Sequence, residues 1–289
     1  MLDATREPGF GEAKRSPGGN FEGMDTTGKR VLLTGATGGL GRAIAGTLAG
    51  AGANLILSAR SADALEELAS GLPGDGHACL PADLGEPGAA LELIEKAGKI
   101  DVLVANAALP ATGRITDLTD QQVSRMLRIN LEAPVLMAQA VLPDMLERNE
   151  GKLVMIGSLA GKAGSPRSSI YNATKFGLRG FVFGLAQDLA GTGVGATLIA
   201  PGFVREAGMF EDSGAKAPAG MGTTTPDRVA TAVRQAMKSD KVEIPVAPFL
   251  QRSMAHIGLM SPHLSHRVQS GAAGQKAAES VASGQTGKR

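Results

Sequence analysis

The stretch from Arg30 to Arg60 constrains the fold of this chain more than any other. It opens with RVLLTG, a short apolar run ending in glycine, which marks a buried strand. ATGGLGRAIAGTLAGAG follows, with Ile44, Leu48 and Ala51 at helical spacing, and Ala53–Arg60, ANLILSAR, is a second apolar run. Strand, glycine turn, helix and strand in so short a span make one βαβ unit, the crossover that parallel strands require. The glycines of Thr34-Gly35-x-x-x-Gly39-x-Gly41 stand at the strand-to-helix turn. Glycine there permits positive φ and lets a pyrophosphate approach the backbone, and the helix start offers free N–H groups and a positive dipole end. A tight turn that holds no ligand uses the same residues.

The alternation continues. A helix is expected over about Asp63–Ser70, a third strand over His77–Pro81 ending in Asp83-Leu84, and a helix over about Pro87–Ala97. Ile100–Ala105 is a fourth strand running into Asn106-Ala107-Ala108, and KLVMIGS is a fifth that delivers Ser158. Val194–Ala200 is a sixth, ending in Pro201-Gly202; a helix over about Pro226–Lys238 and a short strand at Val242–Pro245 close the series. Strands alternating with helices predict an α/β domain on a doubly wound parallel sheet. Ligands bind beyond the carboxyl ends of such strands, so Asp83, Asn106 and Ser158 are expected on one side. At the end of the second strand stand Ser58, Ala59 and Arg60, with no acid before the arginine. In dinucleotide-binding folds an acid here selects NAD and a basic group accommodates a 2′-phosphate. The reading is NADP(H) preferred with NAD(H) possible; the alternative is an arginine that caps an exposed strand end.

From Thr119 to about Arg148 the spacing predicts one long helix with Met126, Leu127, Leu131, Val135, Ala138, Leu142 and Met145 as its apolar stripe. Pro134 cannot donate to the carbonyl of Asn130, so a kink is expected there. The kink leaves the Asn130 main-chain oxygen free to hold a water, or serves only to fit the helix to the sheet.

Ser158 lies 13 residues before Tyr171, the one tyrosine of the chain, and Lys175 lies four after it. On a helix a lysine at i+4 stands one turn away on the same face. An ammonium there favours the phenolate of a group that ordinarily titrates near pH ~10. The Ser158 hydroxyl is placed to polarise a carbonyl. Taken alone, Tyr-x-x-x-Lys also fits an ordinary exposed helix face. The helix after Tyr171 carries Leu178, Phe181, Val182, Leu185 and Leu189 on one stripe, and Gly177, Gly180 and Gly184 form a smooth strip predicted as a subunit interface. Residues 203–224 are long, Gly-rich and studded with Phe and Met, which predicts a lid. Phe249–Val268 reads as a final amphipathic helix with Leu250, Met254, Ile257 and Leu264 apolar, packing on a partner or on the substrate mouth.

Bulk composition removes several function classes. With 29 basic and 28 acidic residues the net charge is +1, so no strong field points to nucleic acid or anionic lipid. The absence of Trp and the 3% aromatic content argue against a single-strand stacking platform. Cys79, the single cysteine, reads as a buried inert thiol; with no second cysteine there is no intrachain disulfide, which fits a reducing cytoplasm. The four histidines show no metal-ligand spacing, and no metal is expected. No run of 18 uncharged apolar residues predicts a membrane span, and the charged N-terminus lacks the apolar core of a signal peptide. Residues 1–27 and 271–289 read as disordered arms around one domain over 28–270.

Together these residues resemble the short-chain dehydrogenase/reductase family in its single-domain branch, from about Lys29 to Val246. The resemblance rests on TGATGGLG at 34–41, Asp83-Leu84, Asn106-Ala107-Ala108, Asn130, Ser158, Tyr171-x-x-x-Lys175 and Pro201-Gly202, all in order and at strand ends. It implies a Rossmann-type, seven-stranded parallel sheet with helices on both faces, assembled as a homodimer or homotetramer. It implies an oxidoreductase moving a hydride between NADP(H) and a ketone or secondary alcohol. Tyr171 would be the acid/base, with Lys175 lowering its pKa and holding the nicotinamide ribose. Ser158 would orient the carbonyl and Asn130 would hold a proton-relay water. Gly35, Thr37, Gly38, Gly39, Leu40 and Gly41 would cradle the cofactor. Asp83 and Leu84 would lie by its adenine, Asn106, Ala107 and Ala108 by its adenosine half, and Pro201, Gly202 and Val204 by its carboxamide. Two departures stand out: Asn-Ala-Ala replaces Asn-Ala-Gly, and Arg205-Glu206 stand where a threonine is common. Phe203, Met209, Phe210 and Met221, with Leu109 and Leu159, predict an apolar substrate. Two alternatives remain. Gly38 also gives Thr-Gly-x-x-Gly-x-x-Gly, used by extended-branch epimerases and dehydratases, which the short C-terminal part argues against. A nucleotide-binding regulatory or scaffold protein without turnover would be free to lose Tyr171 or Lys175, and both are kept.

Overall fold

The computed structural model describes residues 21, 23–110, 112–214, 217, 220–271, 275, 278, 279, 281, 282, 284 and 285. The strands are β1 (Arg30–Thr34), β2 (Asn54–Ser58), β3 (Ala78–Cys79), β4 (Val102–Ala105), β5 (Gly151–Ile156), β6 (Val194–Pro201) and β7 (Glu243–Val246). All pair in parallel, in the order β3-β2-β1-β4-β5-β6-β7. The helices are α1 (Gly39–Ala49), α2 (Ala62–Ser70), α3 (Ala89–Ala97), α4 (Asp120–Leu127), α5 (Ala133–Glu147), α6 (Ser169–Asp188), α7 (Pro226–Met237), α8 (Phe249–Met260) and α9 (Pro262–Gln269).

The strands are apolar almost throughout because both faces of the sheet are covered. Alternate side chains point to opposite faces. Val31, Leu33, Val102 and Val104 pack with Ile44 and Leu48 of α1, Leu65 of α2 and Val229 and Val233 of α7. Leu32 and Leu103 pack on the other face with Leu93 of α3, Met137 and Ala138 of α5 and Leu178 and Val182 of α6. Strand order reverses direction between β1 and β4, and such a switch opens a crevice at the carboxyl ends.

Three sequence expectations are corrected. The long helix over 119–148 is two helices, α4 and α5, joined by a π-helical turn at Arg128–Glu132. Pro134 has no N–H to give the Asn130 carbonyl, so the ladder resets through a wider turn in which Ala133 N–H reaches Arg128 O. The helix expected over 249–268 breaks at Ser261-Pro262 into α8 and α9, because the residue before a proline disfavours helical backbone. The strand expected over 77–81 is only Ala78–Cys79.

At the amino end, Met24 is buried and donates its N–H to Met237 O at 2.6 Å. The Phe21 ring centre lies 4.0 Å from the buried Lys152 Nζ. Packing therefore begins upstream of residue 28; residues 1–20 and 22 of the expected amino-terminal arm lie outside the described residues.

The glycine turn is shaped by contact as well as by φ. Gly35 sits at φ 64°, and a Cβ on Gly41 would collide with the carbonyl oxygen of Gly35 and stand 2.6 Å from that of Ala36. Gly→Ala in a helix ordinarily stabilises by about 0.5–1 kcal/mol. Gly41→Ala is expected to do the reverse, lowering unfolding free energy by about 1–3 kcal/mol in urea titrations; a gain in stability would show that the turn tolerates a side chain.

Candidate active site

At the switch between β1 and β4, side-chain and main-chain hydrogen bonds lock the strand ends together. Thr34 Oγ1 accepts the N–H groups of Asn106 and Ala107, each at 3.1 Å. Asn106 Nδ2 donates to Thr34 O at 3.0 Å and Gly35 O at 3.1 Å. The Asn106 amide thus holds the glycine turn in place. α1 starts at Gly39 with no side-chain cap and no acid in its first turn. The N–H groups of that turn have no intrahelical acceptor.

Three catalytic candidates meet where β5 ends. Gly157 leads from β5 to Ser158, whose Oγ accepts Ala160 N–H at 3.1 Å and hydrogen-bonds the Tyr171 hydroxyl. Tyr171 lies in the first turn of α6, and Lys175 follows one turn later. Lys175 Nζ lies 5.7 Å from the Tyr171 ring centre and donates to Ile156 O at 2.9 Å. An ammonium carries three donors, so two remain for a ligand. Burial pulls the Lys175 amine down to about 8. Burial also pushes the Tyr171 phenol above its ordinary range, and the Ser158 hydrogen bond offsets only part of this. Against the expected lowering of the phenol, desolvation dominates at both groups and disfavours both charged forms.

Ser158, Tyr171 and Lys175 line one cavity of about 710 Å³. Leu40, Asn106, Ala108, Pro201, Gly202 and Val204 share its wall. Gly35, Thr37, Gly38, Gly39 and Gly41 form the turn and helix start beside Leu40. Arg60 is exposed just beyond β2, and its charge acts on Asp83. Burial works against the Asp83 carboxylate, yet Arg125, bonded to both its oxygens at 2.8 and 2.7 Å, and Gly85 N–H hold it below the usual range. Other sequence candidates stand off the wall. Leu84 is buried in the core, and Ala107 contributes its N–H to Thr34. The Asn130 side chain pairs in both directions with the Leu109 backbone, at 2.7 and 2.9 Å. Leu109 packs against the core instead of lining the cavity, contrary to expectation. A dinucleotide fits this set: an uncapped glycine-rich helix start for its diphosphate, an exposed arginine past β2, and a buried lysine with donors to spare.

The roof of the cavity comes from parts that showed no motif. The stems of the 203–224 loop are joined by a bridge between Val204 and Thr224. Gln251 of α8 is buried and binds both stems: its Oε1 accepts Phe203 N–H at 3.1 Å, and its Nε2 donates to Met221 O at 3.1 Å and Gly222 O at 2.7 Å. Only glycine at 202 leaves room for that carboxamide, since a Cβ would collide with Gln251 Oε1. A second buried glutamine, Gln285, accepts from Thr112 Oγ1 at 2.6 Å and donates to Met209 O at 2.7 Å. Gln285 lies in the segment read as a disordered tail; Arg167 also pairs with Glu279 there at 2.8 Å. The loop presses on the glycine turn, where a Cβ on Gly39 would collide with Ala207. Phe203, Phe210, Met209 and Met221 line the cavity as expected, with Met254, Ile257, Leu264 and Val268 completing an apolar wall. One signal for Gln251 was legible: a polar residue at i, i+4, i+7 with Ala255 and Gly258, a stripe too small for an ordinary core face.

Comparison with known proteins agrees with this geometry. A family profile described as short chain dehydrogenase matches residues 29–218. The ketoacyl reductase HetN of Nostoc sp. is 34% identical over 253 residues, covering 84% of this chain and 88% of that protein. Dehydrogenase/reductase SDR family member 7B of Mus musculus is 31% identical over 255 residues, covering 82% and 79%. A 3-oxoacyl (acyl-carrier-protein) reductase from Agrobacterium tumefaciens with NADP bound superposes with a TM-score of 0.68 at 29% identity, covering 76% of this chain and 93% of that one.

Gln251→Leu removes the partners of Phe203 N–H and of the Met221 and Gly222 carbonyls. Each such loss costs about 1–3 kcal/mol, so proteolysis within 203–224 is expected to speed up roughly 5-fold or more. Cleavage at the wild-type rate would show that the loop is held by something else.

Proposed function

The chain belongs to the short-chain dehydrogenase/reductase family, and we propose that it interconverts a ketone on an apolar, chain-like molecule and the matching secondary alcohol with NADP(H). It is an NAD(P)-dependent oxidoreductase. The observation that carries the finer reading is the convergence of Ser158, Tyr171 and Lys175 on the wall of a cavity to which Phe203, Met209, Phe210, Met221, Met254 and Ile257 bring a large apolar surface. Relatives named ketoacyl and 3-oxoacyl reductase support an acyl chain bearing a ketone as the substrate class.

NADPH, when bound, supplies the hydride for the carbonyl carbon. The residues manage the oxygen. The Ser158 and Tyr171 hydroxyls exchange their mutual hydrogen bond for the carbonyl oxygen, each donating its one proton to it and drawing charge onto it. Tyr171 then gives up its proton as the alcohol forms, and the Lys175 ammonium one turn on stabilises the phenolate left behind. Lys175 keeps two donors for the ribose hydroxyls, and Ile156 O holds the amine in place. The glycine-rich start of α1 would hold the diphosphate. Arg60, with no acid before it, supports a 2′-phosphate and hence NADP(H) over NAD(H). The π-turn supports the water-holding role of the Asn130 main-chain oxygen, since Pro134 cannot donate to it. Along α6, Gly180 and Gly184 have no atom within 4 Å of where a Cβ would stand, which supports a homodimer or homotetramer; Gly177 instead packs on Leu131. The single cysteine supports a cytoplasmic setting.

Tyr171→Phe is expected to lower kcat by about 10²- to 10⁴-fold while NADPH binding, read by fluorescence, persists; an unchanged rate would remove Tyr171 from the chemistry. Alcohol oxidation needs the phenolate, whose pKa burial raises, so its rate should climb with pH across the alkaline range. Lys175→Met should move that limb upward by about 1–2 pH units. Across a ketone series kcat/KM should rise about 3- to 4-fold per added methylene until the cavity is filled. A preference for short charged hydroxy acids would sink the apolar reading. Arg60→Ala should weaken NADPH about 10-fold and leave NADH binding near wild type, about 1.4 kcal/mol of selectivity.

A further inference from the structure

Helix α8 is inside out for a helix packed on a domain in water. Its inward stripe is Gln251, Ala255 and Gly258, all buried. Its outward side carries Phe249, Leu250, Ile257, Leu259 and Met260, with Phe249 75% and Met260 84% exposed. The inversion has a local cause. Gln251 is needed inside to hold the loop stems, and Gly258 lets the helix press onto Ala163, whose Cβ would stand 2.6 Å from a Cβ at 258. α9 continues the face with Leu264 and Val268, 49% and 54% exposed. Among the described residues, seven of the eleven exposed large apolar side chains lie on these two helices. Scattered exposed apolar residues need no explanation, but a concentration of this kind does.

Charge on the same segment is one-sided. Residues 249–270 contain no Asp or Glu and carry Arg252, Arg267, His256, His263 and His266, in a chain otherwise near balance at 29 basic and 28 acidic. We propose that α8 and α9 form a docking face for an anionic lipid bilayer, lying in the plane of the headgroups. Phe249, Leu250 and Met260 enter the acyl boundary while Arg267 and the histidines meet lipid phosphates. Phe249, Leu250 and Met260 line neither the cavity nor the neighbouring concavity and project from the surface, which suits a fluid apolar phase better than a shaped protein pocket. Among the described residues no helix is long and apolar enough to cross a membrane, so the association is peripheral. Ile257, Leu264 and Val268 belong both to this face and to the cavity wall, so docking brings the cavity mouth against the bilayer. Delivery of an apolar substrate by that route rests on the proposed function; the docking itself does not.

Flotation of the full-length protein with vesicles tests this. It should rise with phosphatidylcholine–phosphatidylglycerol vesicles, much less with phosphatidylcholine alone, and less at high salt. Phe249→Ser with Met260→Ser should weaken binding about 10-fold or more, and Arg267→Glu about 5-fold or more. None of these residues lines the cavity, so turnover of a short, water-soluble ketone should stay at the wild-type rate in each variant, which also reports correct folding. Wild-type protein that floats but turns over no ketone would overturn the proposed function and leave docking standing. Failure to float with anionic vesicles, or flotation untouched by the variants, would overturn docking. So would a lipid-free dimer that Phe249→Ser with Met260→Ser dissociates, or capture of an acidic carrier protein without vesicle binding; these would make the face a subunit or protein contact.

Discussion

Everything at the cleft depends on the knot that ties the end of β1 to the end of β4. Thr34 and Asn106 exchange four hydrogen bonds within 3.0–3.1 Å, counting those to Gly35 O and from Ala107 N. Each is worth about 1 kcal/mol net, but leaving a buried amide unpaired costs more. The ladder between these neighbouring strands ends at the Leu33–Val104 pair, so nothing in it holds their ends in register beyond that point. The knot does so, and it sets the glycine turn at a fixed height beside the shelf that carries Ser158. Asn106 serves the site by building it, and both protons of its side-chain amide are used in doing so.

The second constraint is dielectric. The burial that the cavity's apolar wall of Phe, Met, Ile and Leu side chains helps to provide penalises the ammonium of Lys175 and the phenolate of Tyr171. Two polar contacts offset this from inside the wall: the Ile156 carbonyl for the amine and the Ser158 hydroxyl for the phenol. Sequence spacing suggests an ammonium that acidifies a tyrosine. The packed structure shows a pair whose charges are both disfavoured and must be held up by hydrogen bonds.

The roof explains the odd character of the C-terminal part. Gln251 and Gln285 reach inward to bind backbone on the loop over 203–224, and a helix that sends its glutamine inward must turn other residues outward. Apolar side chains of α8 that would have formed a core stripe are left on the surface. Closing the cavity and exposing an apolar face are therefore one structural choice, enforced by the close approach that Gly202 and Gly258 permit.

Much of this was legible in the residues alone. Apolar runs of strand length alternating with helical stripes determined a parallel, doubly wound sheet, because a strand covered on both faces must be apolar throughout. Local spacing determined Tyr171 and Lys175 on one helix face and an irregularity near Pro134, read as a kink, since both follow from helical geometry and a missing N–H; that it divides two helices through a π-turn came from the structure. Only tertiary structure decided the rest. The Arg125 grip on Asp83, the pairing of Asn130 with Leu109, the turning of Leu109 into the core, the Gln251 and Gln285 clamps and the burial-driven shift of Tyr171 all join residues far apart in the chain. Periodicity reports which face of an element is apolar, but which distant backbone it meets, and how dry that meeting is, depends on packing that no local pattern encodes.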